Sequence, residues 1–88
     1  MLKEAIDASH IVPKKQKPVL HAICKQGYPI PASEIEDILA LSRPSVNFSL
    51  QMLLKRNFIK RSKDGIFMYS ANEERIGELL ERYKNRAK

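Results

Sequence analysis

Residues 33–69 read SEIEDILALSRPSVNFSLQMLLKRNFIKRSKDGIFMY, and this stretch decides the fold. Its first part predicts two short amphipathic helices that are joined by a tight turn. Its second part predicts a small β-hairpin, because the Asp64-Gly65 pair tolerates the positive φ angles of a tight turn between strands. Helix, turn, helix and hairpin therefore follow one another, and lysine and arginine are crowded from Arg43 onward.

The earlier helix of this stretch begins with a capping motif. Ser33 is followed three residues later by Glu36, and in such a pair each side chain accepts from a free backbone N–H group of the first turn. We expect the helix to start at Ser33. Its inward-facing side chains are predicted to be those of Ile35, Ile38 and Leu39.

The later helix, predicted at residues 43–57, is preceded by Ser42, which can cap it, and Pro44 fits its first turn. Asn57 stands at its exit, and asparagine is the commonest residue other than glycine to adopt a positive φ angle. A set of apolar residues recurs at spacings that place its members on one helical face and predict a buried stripe: Val46, Leu50, Leu53 and Leu54.

Another core helix precedes this stretch at Lys17–Gln26, with Pro18 in its first turn and Gly27 as its stop. Residues 28–31 (YPIP) are predicted to be extended, because a residue before proline avoids the helical region. The hairpin begins near Phe58 and is completed by a return strand that starts after Gly65.

Two further helices are predicted outside the core, which we place at residues 17–70. A short one lies within an extension at residues 1–12, and an amphipathic one that Asn72 can cap lies at residues 72–87. A chain of 88 residues makes one domain, spanning 1–88. The predicted class is mainly α (α+β), with a three-helix core, a two- to three-stranded antiparallel hairpin sheet and a C-terminal helix.

The motifs SEI at 33–35, LSRPSV at 41–46 and LLKRNFI at 53–59 resemble a known family. They are similar to the winged helix-turn-helix transcriptional regulators, broadly the MarR, ArsR and PadR-like groups, over residues 17–70. Ala40 departs from the pattern, since the family often has glycine before its turn. The resemblance implies that the helix at 43–57 reads the DNA major groove. It also implies that the hairpin, the wing of this family, lies on the backbone and pairs with a short preceding strand.

The net charge of +6 is unevenly placed along the chain. From Arg43 to Lys63 there are six basic residues and no acidic one, whereas the segment before it holds Glu34, Glu36 and Asp37 and no base. A strongly positive segment attracts polyanions through phosphate contacts and counterion release. The alternative is a solvated charged surface, because many soluble proteins are basic.

Three side chains of the helix at 43–57 are predicted to read bases. Asn47 and Gln51 lie four residues apart opposite the apolar stripe, and their amides can bridge N6 and N7 of adenine. Arg43 can contact O6 and N7 of guanine. We expect Ser42 and Ser45 to donate to phosphate. The alternative is that both amides are solvated surface groups.

Phe48 lies off the apolar stripe of the same helix. Its ring can meet a thymine methyl group, or it can pack under the wing or against the N-terminal segment. We expect packing, because an exposed phenylalanine without a partner is costly.

The remaining predicted DNA contacts are Pro44, Lys55, Lys60, Arg61 and Lys63. For the three bases of the wing, the alternative is that they protect the edge of the sheet from pairing with another chain. For Lys55 in the last turn of the helix, the alternative is that its charge complements the helix dipole.

The C-terminal helix carries an apolar stripe that is predicted to form the contact surface of a homodimer. A dimer would present two recognition helices to half-sites about one DNA turn apart. The alternative is that the stripe covers the core of its own domain. The predicted dimerisation residues are Leu2, Ile6, Ile76, Leu79, Leu80 and Tyr83.

Metal binding and catalysis have no support in the sequence. His21 and Cys24 lie three residues apart, but further ligands are missing and His10 is isolated. There is no glycine-rich phosphate loop, no HExxH motif and no nucleophile triad. We therefore expect no metal, no cofactor, no small-molecule ligand and no enzyme activity.

The lone cysteine suits a reducing cytoplasm, and no segment is long enough for a membrane span or resembles a signal peptide. These features predict a cytoplasmic protein. We expect a sequence-specific double-stranded DNA-binding protein, in the first place a transcriptional repressor. Two alternatives stay open: a replication or recombination accessory protein of a plasmid or phage, and a winged-helix protein-interaction module.

Overall fold

Backbone conformations at single residues mark where the elements begin and end. A computed structural model describes residues 2–87 of the chain, and Met1 and Lys88, the ends of the domain predicted over 1–88, lie outside the described residues. The elements in chain order are α1 (Leu2–Ala8), a 3₁₀ turn (Lys14–Gln16), α2 (Lys17–Gln26), β1 (Ile30–Pro31), α3 (Ala32–Leu39), α4 (Arg43–Lys55), β2 (Ile59–Asp64), β3 (Ile66–Ala71) and α5 (Glu73–Ala87).

The three strands form one antiparallel sheet in the order β1-β3-β2. In β1, Ile30 lies opposite Tyr69 of β3, and β2 pairs with β3 along its whole length. Gly65 makes the tight turn between β2 and β3 with a φ angle of 77°. The predicted hairpin is confirmed, and residues 30–31 supply the third strand.

Two helix boundaries agree with local sequence signals. α2 spans the predicted range and is stopped by Gly27, which has a φ angle of 71°. Ser42 is the N-cap of α4, where its Oγ accepts from the backbone N–H of Ser45 at 3.4 Å. These features depend on neighbouring residues alone, and they are confirmed.

The other end of α4 differs from the prediction, because the helix ends at Lys55 and not at residue 57. Asn57 adopts the left-handed conformation with a φ angle of 65°. The N–H of Phe58 then bonds to the carbonyl of Leu53, and the N–H of Asn57 to that of Leu54, both at 3.0 Å. This pair of bonds is a Schellman motif, which closes the helix and turns the chain into β2.

The predicted capping box of α3 is wrong. The helix begins at Ala32, its N-cap is Pro31 in an extended conformation, and no side chain caps it. The physical reason is that Pro31 also belongs to β1, so the helix follows the strand directly and Ser33 already lies in its first turn. Ile38 is also wrong as a core residue, since it is 46% exposed.

One apolar core joins the helices to the sheet. Val46, Leu50 and Leu53 of α4 are fully buried in it, as predicted. Leu54 is half-buried, and Ser49 is buried although the stripe did not include it. One face of α4 therefore lies inside the protein, which fixes the direction of its other face.

Residues 2–12 contribute to this core and do not lie apart from it. Ile6 and Val12 are buried in the same cluster as Val19 and Leu79. α1 packs against both α2 and α5. The helices, α5 included, and the three-stranded sheet form a mainly helical α+β fold of the winged-helix type. This confirms the predicted fold class.

Candidate nucleic-acid interface

The outward face of α4 carries the side chains that were predicted to read bases. Arg43, Asn47 and Gln51 recur every four residues along it, and all three are exposed. The other predicted contacts on and before this helix are exposed as well: Ser42, Pro44, Ser45, Phe48 and Lys55. Arg43–Lys55 contains no carboxylate, so its outer face combines hydrogen-bonding groups with positive charge.

Arg43 has an acidic neighbour on α3. Its Nε lies 3.5 Å from Oε2 of Glu36, and the arginine side chain is 73% exposed while that of Glu36 is mostly covered. An exposed pair of this kind contributes little to stability. Its effect is to limit the positions that the guanidinium group adopts at the start of α4.

The expected packing of Phe48 is wrong, because its side chain is 61% exposed and is absent from the buried core. Neither the wing nor the N-terminal segment covers it. The helical period explains the result: Val46 and Leu50 point into the core, and a residue midway between them on the chain points away from it.

The wing has two faces with different neighbours. Tyr69 and Ile59 are buried, so the residues at even spacing from them share one face of the wing. Lys63 lies opposite Phe67, and Arg61 lies opposite Tyr69, on this face.

This face of the wing continues the outer face of α4. Phe67 lines one groove with Arg43 and Asn47, and Arg61 lines another with Gln51 and Lys55. The guanidinium carbon of Arg61 lies 4.4 Å from the centre of the Phe67 ring, and Nζ of Lys63 lies 5.6 Å from it. We call the outer face of α4 together with Arg61, Lys63 and Phe67 the candidate interface.

Lys60 does not belong to this surface. It lies opposite Ser70 on the other face of the wing and lines a groove that is bounded by Glu73 and Glu74 of α5. The prediction grouped the three wing bases by their closeness in sequence, but side chains alternate between the two faces of a strand. Lys60 is exposed, yet it is separated from the bases with which it was predicted to act.

The 3₁₀ turn brings two lysines to α4 that the predicted contacts left out. The turn packs directly against α4, and Lys14 and Lys15 within it are exposed. The signal in the sequence was the run KKQK at residues 14–17. Because this run lies far from α4 along the chain, the sequence does not indicate that the two segments are in contact.

The start of α5 is tied to the end of α4. Nδ2 of Asn72 donates to the carbonyl of Asn57 at 2.9 Å, and Nε of Arg75 donates to the carbonyl of Arg56 at 3.3 Å. The guanidinium group of Arg75 also lies 4.8 Å from the centre of the Phe58 ring. These contacts hold the exit of α4 in place.

The predicted dimerisation surface is partly wrong. Ile6, Ile76 and Leu79 are buried in the core of their own chain, so a partner cannot reach them. The reason is that α1 packs across α5 and covers its inner stripe. The other predicted members keep part of their surface exposed: Leu2, Leu80 and Tyr83.

The histidine and cysteine of α2 have separate surroundings. Nε2 of His21 lies 2.8 Å from Oδ1 of Asp7, and this hydrogen bond holds the pKa of that carboxyl below its usual range. Burial raises the pKa of Cys24 to about 11, which keeps its thiol protonated. No group of three or more metal-ligating side chains comes together among residues 2–87. Across the same residues, every helix is too short or too polar to cross a bilayer.

Comparisons with known proteins add information on the fold. No protein-family model and no curated protein matches the chain. Among solved structures, one of a protein of unknown function from Listeria innocua Clip11262 is similar, with 30% identity and a TM-score of 0.73 over 91% of this chain. The chain spans 56% of the length of that Listeria protein.

A second similar structure is that of a protein from the thermoacidophilic archaeon Sulfolobus tokodaii. It has 22% identity and a TM-score of 0.68, and the match covers 98% of this chain and 94% of that one. At this identity the likeness concerns the fold alone.

Proposed function

We propose that this chain is a sequence-specific double-stranded DNA-binding protein that acts as a transcriptional regulator, in the first place as a repressor in the cytoplasm. One observation carries the proposal: α4 turns an exposed, carboxylate-free face outward, and the cationic face of the wing lies beside it. In this proposal α4 reads the major groove and the wing contacts the backbone.

The chemistry of α4 suits the edges of base pairs. The major groove of B-DNA admits a helix, and each base pair presents a distinct pattern of donors and acceptors there. The amides of Asn47 and Gln51 match adenine, and the guanidinium group of Arg43 matches guanine. Because the opposite face of α4 is fixed in the core, these groups are held in a constant direction.

Positive charge lies on α4, on the adjacent wing and on the 3₁₀ turn that packs against α4. Arg61 and Lys63 lie on the wing, Lys55 on α4, and Lys14 and Lys15 on the 3₁₀ turn, and all are exposed. Such side chains contact phosphates and fix the position of a protein on the duplex without reading sequence. A small domain bound in this way represses transcription by occupying a promoter and excluding the polymerase.

The test of this function is binding to random-sequence duplex DNA across a salt series. Phosphate-driven binding gives a linear plot of log affinity against log salt, with a slope of about −0.9 for each neutralised phosphate. We expect a steep negative slope. Absence of binding at low salt, or a flat response, would contradict the proposal.

Base reading is tested by Asn47→Ala and Gln51→Ala. The wild-type chain first selects its preferred duplexes from a random pool. Loss of a bidentate contact reduces discrimination at that position by about 1–3 kcal/mol, so each variant should accept other bases there. If both variants select the same sequences as the wild type, α4 does not read bases through these amides.

A protein-interaction module is the second candidate, and the exposed aromatic rings on the candidate interface favour it. Phe48 is 61% exposed and Phe67 is 46% exposed, and exposed apolar side chains mark protein contact sites when they form a patch. This function predicts no salt-dependent binding to DNA. The salt series therefore distinguishes the two candidates.

A further inference from the structure

We infer that Phe48 recognises the 5-methyl group of thymine in the major groove, so that the preferred DNA sites place A·T pairs under the middle of α4. This inference rests on the proposed function and deepens it. It assigns a base-reading contact to a side chain that is 61% exposed and lies outside the buried core.

The exposure of Phe48 is the first observation. It is the most exposed of the large hydrophobic side chains on the surface of residues 2–87. Its helix is rigidly seated, because Val46 and Leu50 on either side of it in the sequence are fully buried. The backbone that carries the ring is therefore held at a defined place, with Phe48 on the outward side of α4.

The neighbours of Phe48 are the second observation. Gln51 lies three residues further along α4, a spacing that places its side chain next to the ring. Asn47 directly precedes Phe48, and all three side chains are exposed. Amides pair with N6 and N7 of adenine. An A·T pair shows these atoms on one strand and the thymine methyl group on the other, both in the major groove. One base pair thus offers a partner to an amide and to an aromatic ring.

Charge identifies the occupant of this surface. The apolar ring lies on a helix that carries Arg43 and Lys55 and no carboxylate, and Lys63 and Arg61 stand on the adjacent wing face. Duplex DNA is a partner that supplies phosphates around the edge of the contact and methyl groups at its centre. An apolar protein surface would leave these cations without opposite charge.

The experiment uses the duplex that the wild-type chain selects from a random pool. Each thymine of that duplex is replaced in turn by uracil, which removes the 5-methyl group and leaves every hydrogen-bonding atom of the base in place. Affinities are measured by fluorescence anisotropy. We expect one replacement to weaken wild-type binding about fourfold, the effect of one buried methyl group.

Phe48→Ala then shows whether the ring makes this contact. The variant should bind the thymine and uracil duplexes equally, because the group that met the methyl is gone. Tyr28→Ala is the matched control, since it removes an exposed aromatic ring that lies outside the candidate interface, and it should keep the fourfold difference. The uracil comparison with the wild-type chain needs no variant, so it stands even if a substitution affects folding.

The outcomes that overturn the inference are distinct from those that overturn the function. If the wild-type chain binds every uracil duplex as tightly as the parent, or if Phe48→Ala keeps the difference, the methyl contact is wrong while DNA binding stands. If Phe48→Ala instead changes the oligomeric state in sedimentation, the ring is a contact between copies and the inference fails. If no duplex is bound at all, the proposed function fails together with it.

Discussion

Helices α4 and α5 pack against the same core, but their outer faces differ. α5 exposes acids and bases together, and Arg75 and Glu78 form an ion pair at 2.6 Å. α4 exposes amides, hydroxyls, an aromatic ring and bases, with no carboxylate on the helix. The acids and bases on the outer face of α5 neutralise one another, and such a surface is well solvated by water. The face of α4 keeps its positive charge and its hydrogen-bonding groups available to a partner.

The two helices differ in charge distribution within a chain whose net charge is +6. The total charge is ordinary, and what matters is that one helix and one strand face hold bases apart from acids. Glu36, which lies near Arg43, places one carboxylate at the edge of this surface. The outer face of α5 is better explained by solvation than by binding.

The largest expected effect separates the two faces of α4. Leu50→Ala removes a fully buried side chain, and its loss should lower the free energy of unfolding by about 2–5 kcal/mol, because a cavity remains. Gln51→Ala changes the next residue, which is exposed, and should change that free energy by less than about 0.5 kcal/mol. Urea unfolding measures both. Equal losses would mean that the outer face of α4 is also structural.

The contacts between the two helices are tested by Arg75→Met. The substitution removes the cation–π contact with Phe58 and the hydrogen bond to the carbonyl of Arg56. It also removes the partly exposed ion pair with Glu78, which contributes little to stability. We expect a loss of about 1–2 kcal/mol in the free energy of unfolding. Arg82→Met, on the exposed face of α5, is the matched control and should leave stability unchanged. A similar loss in both variants would show that the position of Arg75 has no special role.

The two faces of the wing are compared by Lys63→Ala and Lys60→Ala, which remove the same charge from opposite faces. Loss of one phosphate contact should make the salt slope shallower by about 0.9 and weaken binding about eightfold at 0.1 M salt. We expect this result for Lys63 and a much smaller one for Lys60. Equal changes in the slope would mean that DNA contacts both faces of the wing.

The smallest effect concerns the turn before α4. Ala40 has a φ angle of 54° in the left-handed region, which costs a residue with a side chain about 1–2 kcal/mol. Ala40→Gly should therefore stabilise the protein by about 0.5–1 kcal/mol, since the greater freedom of glycine in the unfolded chain offsets part of the gain. Ala32→Gly in the first turn of α3 should have no stabilising effect. Thermal unfolding of the three proteins tests this.

Several elements could be predicted because their cause lies in a few neighbouring residues. Gly27 stops α2, Ser42 caps α4 and Gly65 turns the hairpin, each through a conformation or hydrogen bond of its own. The fully buried stripe of α4 and the exposed amides opposite it follow from the helical period. The candidate base-reading face was therefore predictable from the sequence.

Two of the errors share a cause, which is contact between distant segments. The capping box predicted at Ser33 does not form, because Pro31 pairs with Met68 of the wing and is itself the N-cap of α3. Ile76 and Leu79 were assigned to a dimer because nothing in their own helix indicates that α1 covers them. An apolar stripe needs a cover, but the sequence does not say which segment provides it.

By itself the sequence determined the order of helices and strands, the turns between them and the composition of each face, because local conformation and periodicity depend on near neighbours. The tertiary structure decided which faces remain open to a partner. It left Phe48 exposed, placed Lys63 beside α4 and Lys60 away from it, and brought the 3₁₀ turn at Lys14–Gln16 against α4. The physical reason is that exposure results from packing between segments far apart in the chain, which no local pattern records.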